Sequence, residues 1–160
     1  ISQRMMNIMP PVIESMAYII ANDVYPVVFA SRILGKGARK GGMPLIKYVA
    51  NRVLTFTQNV LINQKLSEYH TGYRAFSAEV LRSIDYNVCN DDFILDNEMA
   101  AQIFYKGYEI GEVTCPTKYF DDASSINLWR SSVYGIGVLR VSLVYRLCKW
   151  GLMKSKLFKR

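Results

Sequence analysis

The sequence predicts an α/β domain, and three observations carry that prediction. Long segments with apolar residues three and four positions apart read as helices. Two short β-rich runs, residues 25–30 and 108–114, read as strands. Turn-forming Asn, Asp, Gly and Pro residues separate the two kinds of segment. At 160 residues the chain has the length of one domain and can bury a core of its own.

Pro10-Pro11 can open a helix, because proline is tolerated in the first turn. Val12, Ile13, Met16, Ile19 and Ile20 continue it until Asn22-Asp23. Residues 25–30 read as a buried strand ending at Ser31-Arg32. Residues 35–42 then hold four glycines and three bases, a flexible anion-attracting segment without the ending of a Walker loop. Pro44 starts a long helix to about residue 63. Leu45, Val49, Val53, Phe56, Val60 and Leu61 fall on roughly one side of it, the amphipathic pattern of a helix with a core-facing stripe. Lys47 and Arg52 on this helix either reach toward phosphate or form a solvated face.

Residues 75–76 enter a short strand or turn, and Ser77 is placed to cap a helix from 78 to about 84. Asp91-Asp92 opens the next helix, where acids suit the positive end of the dipole. Phe93, Ile94, Met99, Ile103 and Phe104 form its apolar side up to a stop at Gly107. Residues 108–114 alternate polar and apolar, and Pro116 ends them. After an aromatic and acidic loop, a last helix runs from Asn127 to about Trp150, weakened in its middle by Gly135 and Gly137.

Charge is distributed unevenly. The formal net charge is +7, yet residues 1–122 hold twelve Lys and Arg against thirteen acids, while residues 123–160 hold eight bases and no acid. This divides the chain into a nearly neutral body, 1–122, and a basic segment, 123–160. A localised basic end argues against a general nucleic-acid surface and for contact with anions such as phospholipid head groups; a solvated tail is the alternative. Trp150, Leu152, Met153, Leu157 and Phe158 interleave with the bases as in an interfacial helix on an anionic membrane. Packing against a missing half of the domain is the competing account for these aromatic residues. Three cysteines without paired spacing are expected to be reduced and buried. No apolar run reaches the length of a membrane span, and no signal peptide is expected at a start that lacks its pattern.

Residues 66–77 concentrate the chemistry. Glu68 and His70, the one histidine, can hold or orient protons. Gly72 permits close backbone approach, and Arg74 offers a planar fork for phosphate or carboxylate. A polar loop with a structural Arg74–Glu68 salt bridge is the competing explanation. Asp96 and Glu98 lie two positions apart on a helix, so they point about 200° apart and at most one faces a given site.

Several ordered pieces carry a resemblance: Gly41-Gly42-Met43-Pro44-Leu45, Asn51-Arg52, His70-Thr71-Gly72-Tyr73-Arg74-Ala75-Phe76, Asp92-Phe93 through Asp96-Asn97-Glu98, and Gly107 through Val113. They continue with Pro116-Thr117-Lys118-Tyr119 and Ala123-Ser124-Ser125-Ile126. Over roughly residues 10–145 this order resembles the second half of a family-2 glycosyltransferase, of the dolichyl-phosphate mannose synthase-like and bacterial cell-surface sugar transferase kind. The resemblance implies part of a GT-A (Rossmann-like) domain, cytoplasmic and peripheral at the inner face of the cell membrane. It also implies sugar transfer from a nucleotide sugar to a lipid-phosphate or cell-surface glycan acceptor.

By the same resemblance Glu68 is the base or acceptor-orienting group, with Glu98 and Asp96 as further catalytic candidates. Arg32 and Arg74 contact phosphate, His70 and Tyr73 shape the sugar pocket beside Gly72, and Ser124 and Ser125 donate to phosphate or cap the next helix. The family uses Mg2+ or Mn2+ held by an Asp-x-Asp motif, but the corresponding slot reads Met5-Met6-Asn7, with no carboxylate and therefore no oxygen ligand from an acid. The chain thus resembles an acceptor-side portion with the nucleotide-binding half missing. The competing class is a non-catalytic membrane-surface or partner-binding module, in which Arg32, Glu68 and Arg74 would have no reason to converge.

Overall fold

The computed structural model describes residues 10–90, 94–115 and 128–159. Within them the chain forms α1 (Pro10–Ala21), β1 (Val27–Ser31), α2 (Gly37–Lys40), α3 (Leu45–Ile62), β2 (Arg74–Phe76), α4 (Ala78–Ser83), α5 (Leu95–Tyr105), β3 (Ile110–Thr114) and α6 (Leu128–Lys149). The fold is α/β, with helices around a three-stranded mixed sheet of order β2-β1-β3. β1 runs antiparallel to β2, with Val28 opposite Ala75, and parallel to β3, with Val28 opposite Gly111.

All five residues of β1 are buried, which explains its continuous apolar run: a strand covered on both faces has no polar side. Val27 and Phe29 enter the larger core with Ile62, Tyr69, Val80 and residues of α5 and α6. Val28 and Ala30 face the smaller core, closed by Val12 and Met16 of α1. The predicted elements are present within a few residues. Ser77 caps α4 by accepting from Val80 N at 3.3 Å, and Gly107 follows α5 with φ 89°, a left-handed conformation that favours glycine. The glycine-rich segment is more ordered than expected, because 37–40 close a helical turn with Ala38 buried.

The orientation of α3 reverses the expectation from its apolar pattern. Its buried residues are Asn51, Thr55, Gln58 and Ile62, while Leu45, Ile46, Val49, Val53, Phe56 and Val60 are all exposed. The amide and hydroxyl face turns inward because it finds hydrogen-bond partners there, described below. α6 packs beside α3 and α5. Gly137 lies against the Ile94 side chain, which an added Cβ there would displace.

The C-terminal segment also departs from the expected surface helix. α6 buries Val138, Val141, Ser142, Tyr145 and Cys148. The chain then reverses at Gly151, with φ 75°. Phe158 returns to the core, its ring 5.1 Å from that of Tyr105 and 5.6 Å from that of Tyr145. Phe158, with the half-buried Leu157 packed against the same core, is therefore a core residue and not part of a membrane-facing stripe. Cys89, Cys115 and Cys148 are buried and form no disulfide, as expected. Among the described residues no helix is long and apolar enough to cross a membrane. Ser124, Ser125, the Met5-Met6-Asn7 slot and the Asp91-Asp92 helix start lie outside the described residues.

Candidate functional site

The site begins where β1 ends. Ser31 Oγ accepts from Ile33 N at 3.2 Å and Leu34 N at 3.1 Å, which turns the chain sharply after the strand. Arg32 then meets Glu68 from 36 positions away. Its backbone N–H donates to Glu68 Oε2 at 2.8 Å, its Nε–H to Oε1 at 2.9 Å, and its Nη2 also to Oε1. Nη2 further donates to the His70 carbonyl at 2.9 Å. Asn51 Nδ2, from the inward face of α3, supplies another donor to Glu68 Oε1 at 2.9 Å.

Glu68 has no exposed surface. Burial, the largest single influence, pushes its carboxyl up, but the hydrogen bonds and charge of Arg32, with help from Asn51, outweigh it and hold the group below its ordinary 4.5. The salt bridge considered from the sequence therefore exists with a different arginine.

Three polar side chains hold the segment before Glu68. Asn59 accepts from Leu66 N at 3.0 Å and donates to Leu66 O at 2.8 Å, replacing strand pairing for that residue. Arg52 Nη1 donates to Ser67 O at 2.8 Å. Glu112 of β3 accepts from Ser67 N at 2.8 Å, Ser67 Oγ at 2.7 Å and Glu68 N at 3.3 Å.

His70 joins a chain of polar side chains. Gln58 Nε2 donates to Asn97 Oδ1 at 3.0 Å, and Asn97 Nδ2 donates to Tyr134 Oη at 2.6 Å. Tyr134 Oη and His70 Nδ1 share a hydrogen bond at 3.0 Å. Burial is the main cause that pushes the imidazole down to about 4, opposed by Glu68 and assisted by Arg74 and Arg32. His70 Nε2 is buried and meets no hydrogen-bond partner among the described residues.

Arg74 braces the same loop from the other side. Its Nε donates to Thr71 O at 3.1 Å, Nη2 to Tyr69 O at 2.6 Å and Nη1 to Asp96 O, and the guanidinium stacks 4.6 Å from the Phe29 ring centroid. Asp96 is exposed at the N-terminus of α5, its carboxylate 4.0 Å from Arg74 Nη2. Glu98 points elsewhere and accepts from Asn90 N at 2.5 Å. The divergence expected of residues two apart is present, and of the two it is Asp96 that neighbours the Arg74 loop. Tyr73 packs against the smaller core. Gly72 has open space beside it, since an added Cβ would meet nothing within 4 Å among the described residues.

The structure thus brings Arg32, Glu68, His70 and Arg74 onto one loop system and leaves Glu98 apart. Asn51, Thr55, Gln58, Asn59, Asn97, Tyr134 and Glu112 were not singled out from the sequence as site residues. A signal for the α3 members was present: uncharged amides and a hydroxyl recur at helical spacing where a solvated face would carry charges. Among the described residues no cluster of three His, Cys, Asp or Glu side chains could hold a metal ion. Glu68 and Glu112 direct their oxygens to Arg32, Asn51 and Ser67, so neither presents a ligand set for Mg2+ or Mn2+.

No protein-family model, curated protein sequence or solved structure matches the chain.

Proposed function

We propose that the chain is the acceptor-side part of a GT-A type glycosyltransferase domain. In this reading it moves a sugar from a nucleotide sugar to a lipid phosphate, with a cell-surface glycan as the other acceptor class. One observation carries the reading: Arg32 at the strand end and Glu68, two positions before the His-Thr-Gly-Tyr-Arg segment, the positions the resemblance selects, are joined by hydrogen bonds across 36 residues. A module that only adheres to a surface has no need of that junction.

The geometry also favours the phosphate acceptor within this reading. Glu68 is fully buried with both oxygens engaged, so it is suited to position Arg32 and not to take a proton from an acceptor hydroxyl. A phosphate monoester arrives ionised near neutral pH and needs no such base. One of its oxygens forms the bond to the anomeric carbon while the bond from that carbon to the nucleoside diphosphate breaks, and the diphosphate leaves with the electron pair. Arg32, on its Glu68 anchor, is the cation beside which the phosphate oxygens would settle. No step is assigned to a metal, for which the described acids offer no ligand set.

The test is titration of farnesyl phosphate, a short prenyl phosphate, into the protein by calorimetry. Saturable binding that inorganic phosphate displaces, weakened about tenfold or more by Arg32→Lys, supports the reading, because lysine keeps the charge and loses the fork. An absence of binding at millimolar ligand removes it. The non-catalytic surface module retains one observation in its favour, the outward apolar face of α3.

A further inference from the structure

We propose that the C-terminal end of α5 and the segment returning after α6 form a binding site for a small phosphate monoester whose phosphate is carried on a ring-shaped organic group. The cavity there has a volume of about 380 Å3 and is lined by Ser83, Tyr105, Lys106, Tyr108 and Lys159. Separate parts of the chain build it. Ser83 closes α4, Tyr105 and Lys106 end α5, and Lys159 arrives from beyond α6. Packing determines that arrival. The chain reverses at Gly151, and Phe158 is buried against the Tyr105 and Tyr145 rings. The residue next to an anchored side chain has a fixed backbone, so the Lys159 stem starts from a set position beside Tyr105.

Charge selects the ligand. Two ammonium groups line the cavity and no carboxylate does. Among the described residues neither Lys106 nor Lys159 forms a salt bridge. Lys149 adds a third positive charge behind Tyr105: its Nζ donates to Tyr105 O at 3.2 Å and lies 4.8 Å from the centroid of the Tyr105 ring. A helix C-terminus favours nearby cations, which accounts for Lys106 and Lys149. It does not account for Lys159, which comes from another segment to face the same cavity with the same charge, an arrangement that an anion between the two lysines stabilises. Lysine binds phosphate as a point charge. The hydroxyls are already committed, since Ser83 Oγ donates to Val80 O at 2.8 Å and Tyr108 Oη to Glu79 Oε1 at 3.4 Å. The ammonium groups are therefore the donors that hold the anion.

Shape calls for more than a bare ion. The volume falls in the range of about 300–1,000 Å3 usual for small-molecule sites, and the rings of Tyr105 and Tyr108 offer walls on which an organic ring packs. Tyr108 also lines a second cavity, of about 430 Å3, together with Gly107 and Glu109. The Glu109 carboxylate there places the negative end of a ligand on the lysine side of Tyr108. The cavity is far from Arg32 and Glu68. Arg74 and Asp96 meet at the N-terminus of α5 and Lys106 follows its C-terminus, so an 11-residue helix, about 16 Å long, lies between them. The sheet agrees: Ile110 pairs with Val27 at the start of β1, whereas Arg32 follows its end. The site is thus separate from the proposed transfer reaction and does not rest on it.

The experiment is calorimetric titration of adenosine monophosphate, glucose 6-phosphate and inorganic phosphate into the parent, Lys106→Gln, Lys159→Gln and Arg32→Lys. Both lysines are exposed, so the circular dichroism and urea midpoints of their variants should match the parent's. The expected result is saturable binding of at least one ester, about tenfold tighter than inorganic phosphate, weakened about tenfold by each lysine substitution and unchanged in Arg32→Lys. Binding of adenosine monophosphate alone assigns a nucleoside as the organic group, and of glucose 6-phosphate alone a sugar; either supports the proposal. No saturation by either ester at millimolar concentration overturns it, as does an affinity no greater than that of inorganic phosphate. Binding that both folded lysine variants retain, or that Arg32→Lys abolishes, overturns it too, the latter by assigning the ester to the strand-end site.

Discussion

Replacing Glu68 by Gln keeps the shape of the side chain and removes what the site uses. The carboxylate accepts from the Arg32 backbone N–H, Arg32 Nε and Nη2, and Asn51 Nδ2. A carboxamide has one oxygen. Turned either way, its NH2 faces either the Arg32 backbone donor or the guanidinium and Asn51 donors, so at least one buried N–H is left opposite another donor. An unsatisfied buried donor costs about 1–3 kcal/mol, and breaking a buried ion pair by removing one partner costs about 3–5 kcal/mol. The larger figure applies because Glu68 is fully buried, and it is a substantial share of the roughly 5–15 kcal/mol that holds an ordinary domain.

Urea unfolding at neutral pH, followed by circular dichroism, measures the loss. The pH dependence adds a second signature. Because the folded carboxyl titrates below its ordinary 4.5, its stabilisation is complete above that value and disappears as pH falls through the lower folded one. The gap between parent and Glu68→Gln should therefore narrow as pH drops below 4.5. A loss under about 1 kcal/mol, or a gap that stays constant with pH, would refute the argument that this ion pair anchors the loop.

Since His70 is the one histidine in the chain, its ring nitrogens can be followed by 15N NMR without assignment. The ring should remain neutral until about pH 4, so the stability linked to its neutral form is present above 6.5 and is lost as pH falls toward 4. An ordinary titration near 6.5 in the parent would disprove the burial of the ring. Gly72→Ala should raise stability by about 0.4–1 kcal/mol, since the site is open and the backbone is not left-handed. It should also weaken farnesyl phosphate binding if the ligand lies against that open space, and a loss of stability in thermal unfolding would contradict the geometry.

The order of helices and strands was legible because local signals and tertiary packing agree along most of the chain. β1 reads as buried and is; Ser77 reads as a cap and is. Legibility failed where a face rather than an element had to be assigned. The apolar residues of α3 announce an amphipathic helix, but periodicity is blind to which side meets the protein. The decision is made by Asn51 and Gln58, whose amides meet Glu68 and Asn97, residues that follow α3 in the sequence by 6 and 35 positions after Ile62. For the same reason Arg32 and Arg74 could not be ranked as partners of Glu68 from spacing. Arg74 is six positions from Glu68 and bonds to backbone carbonyls, while Arg32 is 36 positions away and takes the carboxylate. Phe158 read as surface because bases interleave with it and Leu157, and only the reversal at Gly151 returns it to Tyr105 and Tyr145.

The measurement that bears most directly on the proposed function is a phase-partition transfer assay. The protein is incubated with polyprenyl phosphate in anionic vesicles and with a panel of radiolabelled nucleotide sugars, and label is counted in the organic extract. The account predicts that one donor yields labelled lipid and that Arg32→Lys lowers the rate by about a hundredfold, as for a lost electrostatic donor at a reacting phosphate. Labelled lipid from no donor by a folded, vesicle-bound protein, or equal rates in the parent and Arg32→Lys, would contradict it.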